Sequence, residues 1–150
     1  MTGYPQLELD RQLCFALYTA GRAMVRAYGP LLDGAGLTYP QYITLLALWE
    51  EPEQARTVGE LGARLHLDSG TLTPLLKRLE AMGYLARSRD AGDERRVLVR
   101  LTAAGLGLRD GLASVPVSLF ERCRGIDPAE ADALRERLVA LAAAIESVER

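Results

Sequence analysis

The sequence has few of the residues that build disulfide frameworks and metal sites, and it has no long apolar run. Its 150 residues include two cysteines and one histidine, with no CxxC motif and no Cys/His cluster. We therefore expect no structural disulfides, no metal and no other cofactor. No apolar run has the length of a membrane span, and the first residues lack the basic and apolar regions of a signal peptide. These absences predict a cytoplasmic protein with no membrane partner.

The charge is unevenly distributed along the chain. The formal net charge is −2, but residues 77–100 contain seven basic and four acidic side chains. That segment is net positive, and the rest of the chain is net negative. Affinity for phosphate depends on where positive charge is displayed, so this pattern is compatible with a DNA-facing module on an acidic frame.

The stretch from residue 67 to 101 contains an amphipathic helix followed by a β-hairpin. Gly83 fits the C-cap of the helix, residues 84–89 and 96–101 have the composition of strands, and residues 90–95 form a charged turn between them. The outer face of the helix is small, hydroxylated and singly charged. The face predicted to enter the core consists of Leu72, Leu75, Leu76, Leu79 and Met82.

A short helix precedes this element and completes a helix-turn-helix pattern. Thr57 and Glu60 form a capping box at its start, as Thr38 and Gln41 do for the helix before it. Residues 66–68 are the tight turn between the two helices. Pro74 lacks a backbone donor, so we expect a local bend or a late start of the second helix. With the hairpin, these elements predict a winged helix-turn-helix.

Helices flank this lobe on both sides. Residues 9–28 carry two neighbouring apolar stripes, more than one core contact needs, and Gly29 and Pro30 should end or bend that helix before a turn at residues 31–36. Residues 102–123 read as one helix in which Pro116 would introduce a kink. The buried candidates of that helix are Leu106, Leu108, Leu112, Val115 and Leu119.

The last helix starts after Asp127 and repeats apolar residues in steps of four and three, as in a helix pair. We therefore predict a mainly α fold with a small β-hairpin wing (α+β) as a single domain over residues 1–150. Residues 9–36 and 102–150 would be dimerisation helices, and residues 38–101 the DNA-binding lobe. The predicted seam residues of the last helix are Leu134, Leu138, Leu141, Ile145 and Val148.

Several segments resemble one known family. LTYPQYITLLALWE, the long run from TVGELGARLHLDSGTLTPLLKRLE to DERRVLVRLT, and LDRQLCFALY are similar to the MarR family of dimeric winged-helix repressors. Within it they resemble the organic-hydroperoxide sensor branch, called OhrR. The similarity extends from about residue 9 to residue 105. It implies a homodimer on a pseudo-palindromic double-stranded DNA operator, released when an organic hydroperoxide oxidises a cysteine near the N-terminus.

The resemblance places the sensing cysteine at Cys14 and its tyrosine partners at Tyr28 and Tyr39. Two phenol hydroxyls donating to sulfur would favour the nucleophilic thiolate. On a straight helix Cys14 and Tyr28 are about 21 Å apart, so tyrosines that reach the thiol must come from the partner subunit. Alternatively, Cys14 is a small buried hydrophobe and the tyrosines are interface packing.

Cys123 has two interpretations. It is flanked by Arg122 and Arg124, whose charges would favour its thiolate. The resemblance includes a two-cysteine subclass in which the oxidised sensor cysteine condenses with a cysteine of the other subunit, which would make Cys123 a resolving thiol. The other interpretation is an incidental cysteine.

The predicted DNA contacts lie on the second helix of the motif and on the hairpin. Hydroxyls and backbone amides can meet phosphates, and only a few side chains reach base edges. As in the resembling family, Arg95 would enter the minor groove while Asp93 holds its guanidinium. His66 reads as a turn residue. The predicted contacts are Ser69, Gly70, Thr71, Thr73, Lys77, Arg78, Arg87, Asp93, Arg95 and Arg96.

The leading hypothesis is thus a peroxide-responsive repressor rather than an enzyme. A MarR-type repressor released by a non-covalent small ligand is the alternative. A thiol peroxidase acting through Cys14 is a third, opposed by the lack of an oxidoreductase scaffold and of any base or arginine beside that residue apart from Arg11. A winged helix that binds only protein is a fourth, opposed by the basic hairpin.

Overall fold

The computed structural model describes residues 3–123 and 125–148. Over that part of the chain it contains seven α-helices and one antiparallel sheet with the strand order β1-β3-β2. Three single-turn 3-10 helices lie at Pro5–Leu7, Leu9–Arg11 and Asp33–Ala35. The other elements are α1 (Leu13–Leu32), α2 (Tyr39–Trp49), β1 (Arg56–Thr57), α3 (Val58–Leu65), α4 (Ser69–Ala81), β2 (Leu85–Arg89), β3 (Val97–Leu101), α5 (Ala103–Leu112), α6 (Val115–Arg122) and α7 (Pro128–Val148).

The chain divides into two compact units, Met1–Val115 and Pro116–Arg150. The first unit holds a helix-turn-helix, α3 and α4, followed by the β2–β3 wing, which confirms the predicted α+β winged-helix fold. The single-domain boundaries stay a prediction. The core of the first unit gathers apolar residues from α2, α3, α4 and the sheet. Its fully buried members include Leu45, Leu48, Leu61, Leu72, Leu76, Leu79, Leu85 and Val99.

Local capping chemistry starts the helices of the motif as predicted. The Thr57 hydroxyl accepts from the Glu60 N–H at 3.1 Å, and the Glu60 carboxylate accepts from the Thr57 N–H at 2.6 Å. Thr38 and Gln41 make the equivalent box at α2. Each box satisfies N–H groups that a helix start leaves without intrahelical partners. The boundaries of α2 and α3 therefore follow directly from the sequence.

Helix α4 differs from its prediction in two details. It begins at Ser69 and continues through Pro74, so a late helix start is wrong. Met82 is the C-cap and is 37% exposed, because it lies beyond the last helical turn that the core covers. Gly83 follows with φ +80°, the left-handed conformation expected of the C′ residue.

The sheet has one strand more than predicted. Arg56 and Thr57 form β1, which pairs with Val99 and Leu98 of β3. β2 pairs with the other edge of β3, with Arg87 opposite Val99. The first residues of α3 are thereby joined to the wing.

Helix α1 continues past the predicted break at Pro30 and ends at Leu32. Pro30 costs the helix one hydrogen bond to the carbonyl of Arg26, but it lies in the last turn, and Leu32 beyond it is fully buried. Much of the helix before Ala27 is exposed in the single chain. Its exposed large apolar residues are Leu13, Tyr18, Met24 and Val25.

The predicted helix over residues 102–123 is two helices instead of one kinked helix. α5 ends at Leu112 and α6 begins at Val115. The ring of Pro116 would clash with the carbonyl four residues earlier, that of Leu112, whereas a proline is tolerated in the first turn of a new helix. Of the candidates, Leu112, Val115 and Leu119 are buried, and Leu106 and Leu108 are half-buried.

The second unit contains most of α6 and all of α7. Asp127 caps α7 by accepting from the N–H groups of Ala129 and Glu130 at 2.8 and 2.9 Å, as predicted. Along α7, Leu134, Leu138 and Ile145 are exposed. A helix with exposed apolar residues at this spacing has a face available to a partner.

Candidate DNA interface and thiol site

The outer face of α4 is open to solvent along its length. Ser69, Gly70, Thr71, Lys77 and Arg78 are exposed, and Thr73 is half-buried. Asp68 orders the first turn by accepting from the N–H of Thr71 at 2.8 Å and from its hydroxyl at 3.0 Å. These bonds hold the pKa of the Asp68 carboxyl below its ordinary value. The first turn of α4 is thus held in place by its own N-cap residue.

The wing turn is closed and internally paired. The Asp90 N–H donates to the Arg96 carbonyl at 3.0 Å. The Asp93 carboxylate lies 3.5 Å from the Arg95 guanidinium, whose side chain is 95% exposed. A fully displayed guanidinium restrained by one carboxylate is suited to enter a narrow, negative groove. The structure thus places Asp93 beside Arg95, which is the arrangement that the family resemblance implied.

A cleft of about 450 Å³ separates α4 from the wing. Thr73 lines it from the helix, and Arg87, Arg95 and Arg96 line it from the wing. Arg96 contacts Asp90 at 3.7 Å, whereas the guanidinium of Arg87 is held by Glu80. The structure thus brings four of the ten predicted DNA contacts to one concave surface. Arg87 alone among them has its guanidinium directed to a carboxylate on α4.

Cys14 is the second residue of α1 and is exposed. An exposed thiol is accessible to a peroxide, so the single chain gives no support to the alternative that Cys14 is a buried hydrophobe. Nearby on the same helix, Arg22 donates to the Tyr18 hydroxyl at 2.8 Å and lies over its ring.

Tyr28 and Tyr39 are in contact, with ring centroids 4.7 Å apart. Tyr42 adds a third ring at 5.7 Å from Tyr28. Burial raises the pKa of Tyr39 above its ordinary value, so its phenol stays protonated and able to donate. The tyrosine pair is about 21 Å along α1 from Cys14. Tyr42 was missed from the sequence, although its spacing of three residues from Tyr39 on α2 puts both on one helix face.

Cys123 belongs to the second unit, directly after α6. It is half-buried, and its N–H donates to the Leu119 carbonyl at 3.1 Å. Arg122 is exposed. The predicted contribution of Arg124 falls on a residue outside the described part of the chain. The role of Cys123 stays a prediction.

Residues 3–123 and 125–148 contain neither a candidate metal site nor a candidate membrane-spanning helix. No three or more His, Cys, Asp and Glu side chains there are grouped to hold a metal ion. In the same residues no helix has the length and apolar character needed to span a bilayer.

A helix-turn-helix with an open second helix and a paired basic wing defines a winged-helix transcriptional regulator. The profile of the family described as "Transcriptional regulator SarA/Rot" matches residues 26–112, more than half of the chain. The chain belongs to this family of winged-helix regulators, in the same class as MarR.

Individual relatives agree with this assignment. The HTH-type transcriptional regulator TtmR of Methylorubrum extorquens (strain PA1) is 56% identical over 108 residues, which are 72% of this chain and 54% of TtmR. The chain thus spans about half the length of that relative. The organic hydroperoxide resistance transcriptional regulator of Bacillus subtilis (strain 168) is 45% identical over 117 residues, 78% of each protein. These relatives are regulators, not enzymes.

A solved structure matches nearly the whole chain. Reduced AbfR bound to DNA superposes with a TM-score of 0.83 at 33% identity, covering 97% of each chain. The crystal structure of AbfR of Staphylococcus epidermidis gives a TM-score of 0.74 at 34% identity, over 94% of this chain and 96% of that one. The predicted resemblance to winged-helix regulators is confirmed.

Proposed function

We propose that this chain is a homodimeric repressor in the cytoplasm that leaves its DNA operator when an organic hydroperoxide oxidises Cys14. The observation that carries the proposal is the separation within one chain of an exposed thiol from a tyrosine pair. Cys14 opens α1, whereas Tyr28 and Tyr39 contact each other near its other end. The similarity to a regulator of organic hydroperoxide resistance supports the same function.

The separation calls for a second copy of the chain. Two α1 helices running in opposite directions would bring the thiol of each beside the tyrosine pair of the other. The exposed apolar residues of α1 supply a surface for that pairing. Exposed apolar residues on α7 supply another. Each sensing site would then be shared between two subunits.

The chemistry needs only the thiolate and the peroxide. The Cys14 sulfur attacks the terminal peroxide oxygen, the O–O bond breaks, and the alkoxide leaves and takes a proton. Sulfur is oxidised to a sulfenic acid, and the hydroperoxide is reduced to an alcohol. The Cys123 thiol of the second copy can then attack the sulfenic sulfur, forming a disulfide and releasing water.

Oxidation changes the contacts that the sulfur makes. A thiolate accepts hydrogen bonds from the two phenols, and a sulfenic acid or disulfide has different size, charge and geometry. Loss of those bonds would shift the dimer interface and move the two α4 helices out of register with successive major grooves of a pseudo-palindromic operator. The residues that would contact DNA are Ser69, Gly70, Thr71, Thr73, Lys77, Arg78, Asp93, Arg95 and Arg96. Arg87, whose guanidinium is held by Glu80, would contribute through the position of the wing.

A gel-shift titration with cumene hydroperoxide tests the switch. The probe is a duplex that the reduced wild-type protein selects from a random library. We expect peroxide to release the wild type and to leave Cys14→Ser bound. Cys123→Ser is the control, since it keeps the sensing thiol and should still be released. Unchanged binding by the oxidised wild type, or equal release of Cys14→Ser, would show that the redox switch is wrong.

A non-reducing gel of the same samples tests the resolving role of Cys123. The wild type should give a band at dimer mass after peroxide treatment, and Cys123→Ser should not. A dimer band that persists in Cys123→Ser would exclude this cysteine as the partner. Release by a small non-covalent ligand is the alternative function, and a full ligand response in Cys14→Ser would favour it.

A further inference from the structure

Glu80 and Arg87 join the last turn of α4 to the middle of β2. The Arg87 backbone N–H donates to one oxygen of the Glu80 carboxylate at 3.0 Å. Its guanidinium donates to the other oxygen through Nε at 3.0 Å and Nη2 at 2.6 Å. Both carboxylate oxygens are therefore used. Three convergent hydrogen bonds define the position of the strand relative to the helix more closely than one flexible ion pair would.

The pair joins α4 to β2, the edge of the sheet opposite to β1, so it adds a second connection between the helices and the wing. The chain turns from α4 into β2 at Gly83, and Leu85 anchors the base of the strand in the core. Beyond Arg87, Ser88 and Arg89 are exposed. Arg89 donates to the Glu94 carbonyl at 2.6 Å, a bond inside the wing itself. The Glu80–Arg87 bonds thus tie the helix to the wing above the buried base.

Arg87 also has limited capacity to bind phosphate. Its side chain is only 22% exposed, and two N–H groups of its guanidinium donate to Glu80. By contrast, the Arg95 side chain is 95% exposed. A phosphate contact by Arg87 would have to compete with the carboxylate that already neutralises it. The pKa of Glu80 lies below its ordinary value, because the side chain and then the backbone N–H of Arg87 donate to it.

We propose that Glu80 is a positioning residue for DNA binding, which fixes the wing, through Arg87, at the angle to α4 at which both engage one duplex. Glu80 itself touches no DNA. Since α4 and the wing would meet different grooves, their relative angle decides whether both contacts form together. The inference rests on DNA binding and is independent of the redox switch at Cys14.

The direction in which one substitution changes the affinity for duplex DNA distinguishes this role from a direct phosphate contact by Arg87. Glu80→Gln removes a negative charge close to DNA and frees the Arg87 guanidinium. If Arg87 binds phosphate, the variant should bind duplex as well as the wild type or better. If Glu80 positions the wing, the variant should bind roughly five- to tenfold more weakly, because a neutral amide loses the charge-assisted fork.

The experiment measures dissociation constants by fluorescence anisotropy, with a labelled duplex selected by the reduced wild-type protein from a random library. Glu94→Gln is the matched control, since it removes one exposed carboxylate from the same wing and leaves the Glu80–Arg87 bonds intact. It should bind as tightly as the wild type or more tightly. Equal or tighter binding by Glu80→Gln overturns the proposal, as does a wild type that retains no duplex.

Two further measurements exclude a simple folding defect. Hydroxyl-radical footprinting of Glu80→Gln should keep the protection given by α4 and lose that given by the wing, whereas partial unfolding would weaken both together. A double-mutant cycle with Arg87→Gln should be non-additive, so that the double variant binds no worse than Arg87→Gln alone. Additive losses, or equal loss of both footprints, would contradict a positioning role.

Discussion

The indole N–H of Trp49 donates to the backbone carbonyl of Gly105 at 2.9 Å, across 56 residues of sequence. The bond is buried and ties the end of α2 to the first turn of α5. Gly105 also packs against the backbone of Tyr84, whose carbonyl accepts from the Thr102 N–H at 3.1 Å. The DNA-binding lobe, the base of the wing and α5 therefore meet at one point.

Gly105→Ala should destabilise the fold strongly. A β-carbon at this position would lie 1.9 Å from the Tyr84 carbonyl oxygen, and backbone cannot move aside as a flexible side chain can. We expect a loss of about 2–4 kcal/mol in the free energy of unfolding. Urea denaturation followed by the fluorescence of Trp49, the one tryptophan of the sequence, would measure it.

Gly107→Ala provides the matched control in the same helix. Nothing lies within 4 Å of a β-carbon built there. Alanine is the better helix former, so this variant should be unchanged or more stable by up to about 1 kcal/mol. Equal destabilisation by both substitutions would contradict this account, because a β-carbon at position 107 meets nothing within 4 Å.

Acid should weaken the fold partly through the capping box of α3. Hydrogen bonds from the Thr57 N–H and then its hydroxyl hold the pKa of Glu60 below its ordinary value of 4.5. The unfolded chain therefore takes up a proton at a higher pH than the folded one. The stabilisation is fully present above the ordinary value and is lost as pH falls through the lower, folded-state value.

Glu60→Gln should make the decline of stability below the ordinary carboxyl pKa shallower than in the wild type. The amide can still cap the helix, as Gln41 does in α2 by accepting from the Thr38 N–H at 2.8 Å. Asp68, Glu50 and Glu80 also have lowered pKa values, so part of the decline should remain. Urea denaturation at a series of pH values would measure the slope, and a slope equal to that of the wild type would contradict this account.

The sequence was a reliable guide wherever the cause of structure is local. The capping boxes at Thr57 and Asp127 link residues three apart, so their geometry follows from residue type and spacing alone. The apolar face of α4 from Leu72 to Leu79 is predictable for the same reason. Only Met82, where the helix has already ended, departs from the pattern.

The two prolines show where local reasoning stops. Pro30 and Pro116 each lack the backbone N–H that would continue a helix, and each ring crowds the carbonyl four residues earlier. α1 nevertheless continues past Pro30 to the buried Leu32, whereas α5 ends at Leu112 and a new helix begins. The outcome depends on tertiary packing of the residues that follow, which neighbouring sequence does not report.

The residues of the candidate site were proposed from the sequence, whereas their contacts with one another were not. Resemblance to a family pointed to Tyr28 and Tyr39, but their contact needs the packing of α1 on α2. From the sequence, Arg87 is one of several basic residues of the wing, and only the fold shows that Glu80 lies beside it. β1 was missed because two residues carry no periodicity, and their pairing with β3 spans about forty residues.

Arg95→Ala should weaken DNA binding with little effect on folding. Its guanidinium is fully displayed at the wing turn and contacts only the Asp93 carboxylate in the described chain. We expect roughly a tenfold loss of affinity for DNA. The slope of the logarithm of the binding constant against the logarithm of salt concentration should be smaller by about one, the contribution of one phosphate contact. Anisotropy titrations at several salt concentrations would measure both. Arg109→Ala, an exposed arginine on α5, should leave both values unchanged, and an equal effect of the two variants would argue against a specific wing contact.

Ile145→Glu should convert the proposed dimer to a monomer. Ile145 is 55% exposed in the single chain and lies on the predicted seam of α7 with Leu138. If two subunits cover this face, a carboxylate there would be desolvated without a partner, which costs enough to break the association. Ala143→Glu is the matched control, because position 143 is exposed on the opposite face of the same helix. Sedimentation equilibrium should give a dimer for the wild type and for Ala143→Glu, and a monomer for Ile145→Glu. A wild type that sediments as a single chain would refute the shared sensing site, because Cys14 would then have no tyrosine pair of a second subunit to contact.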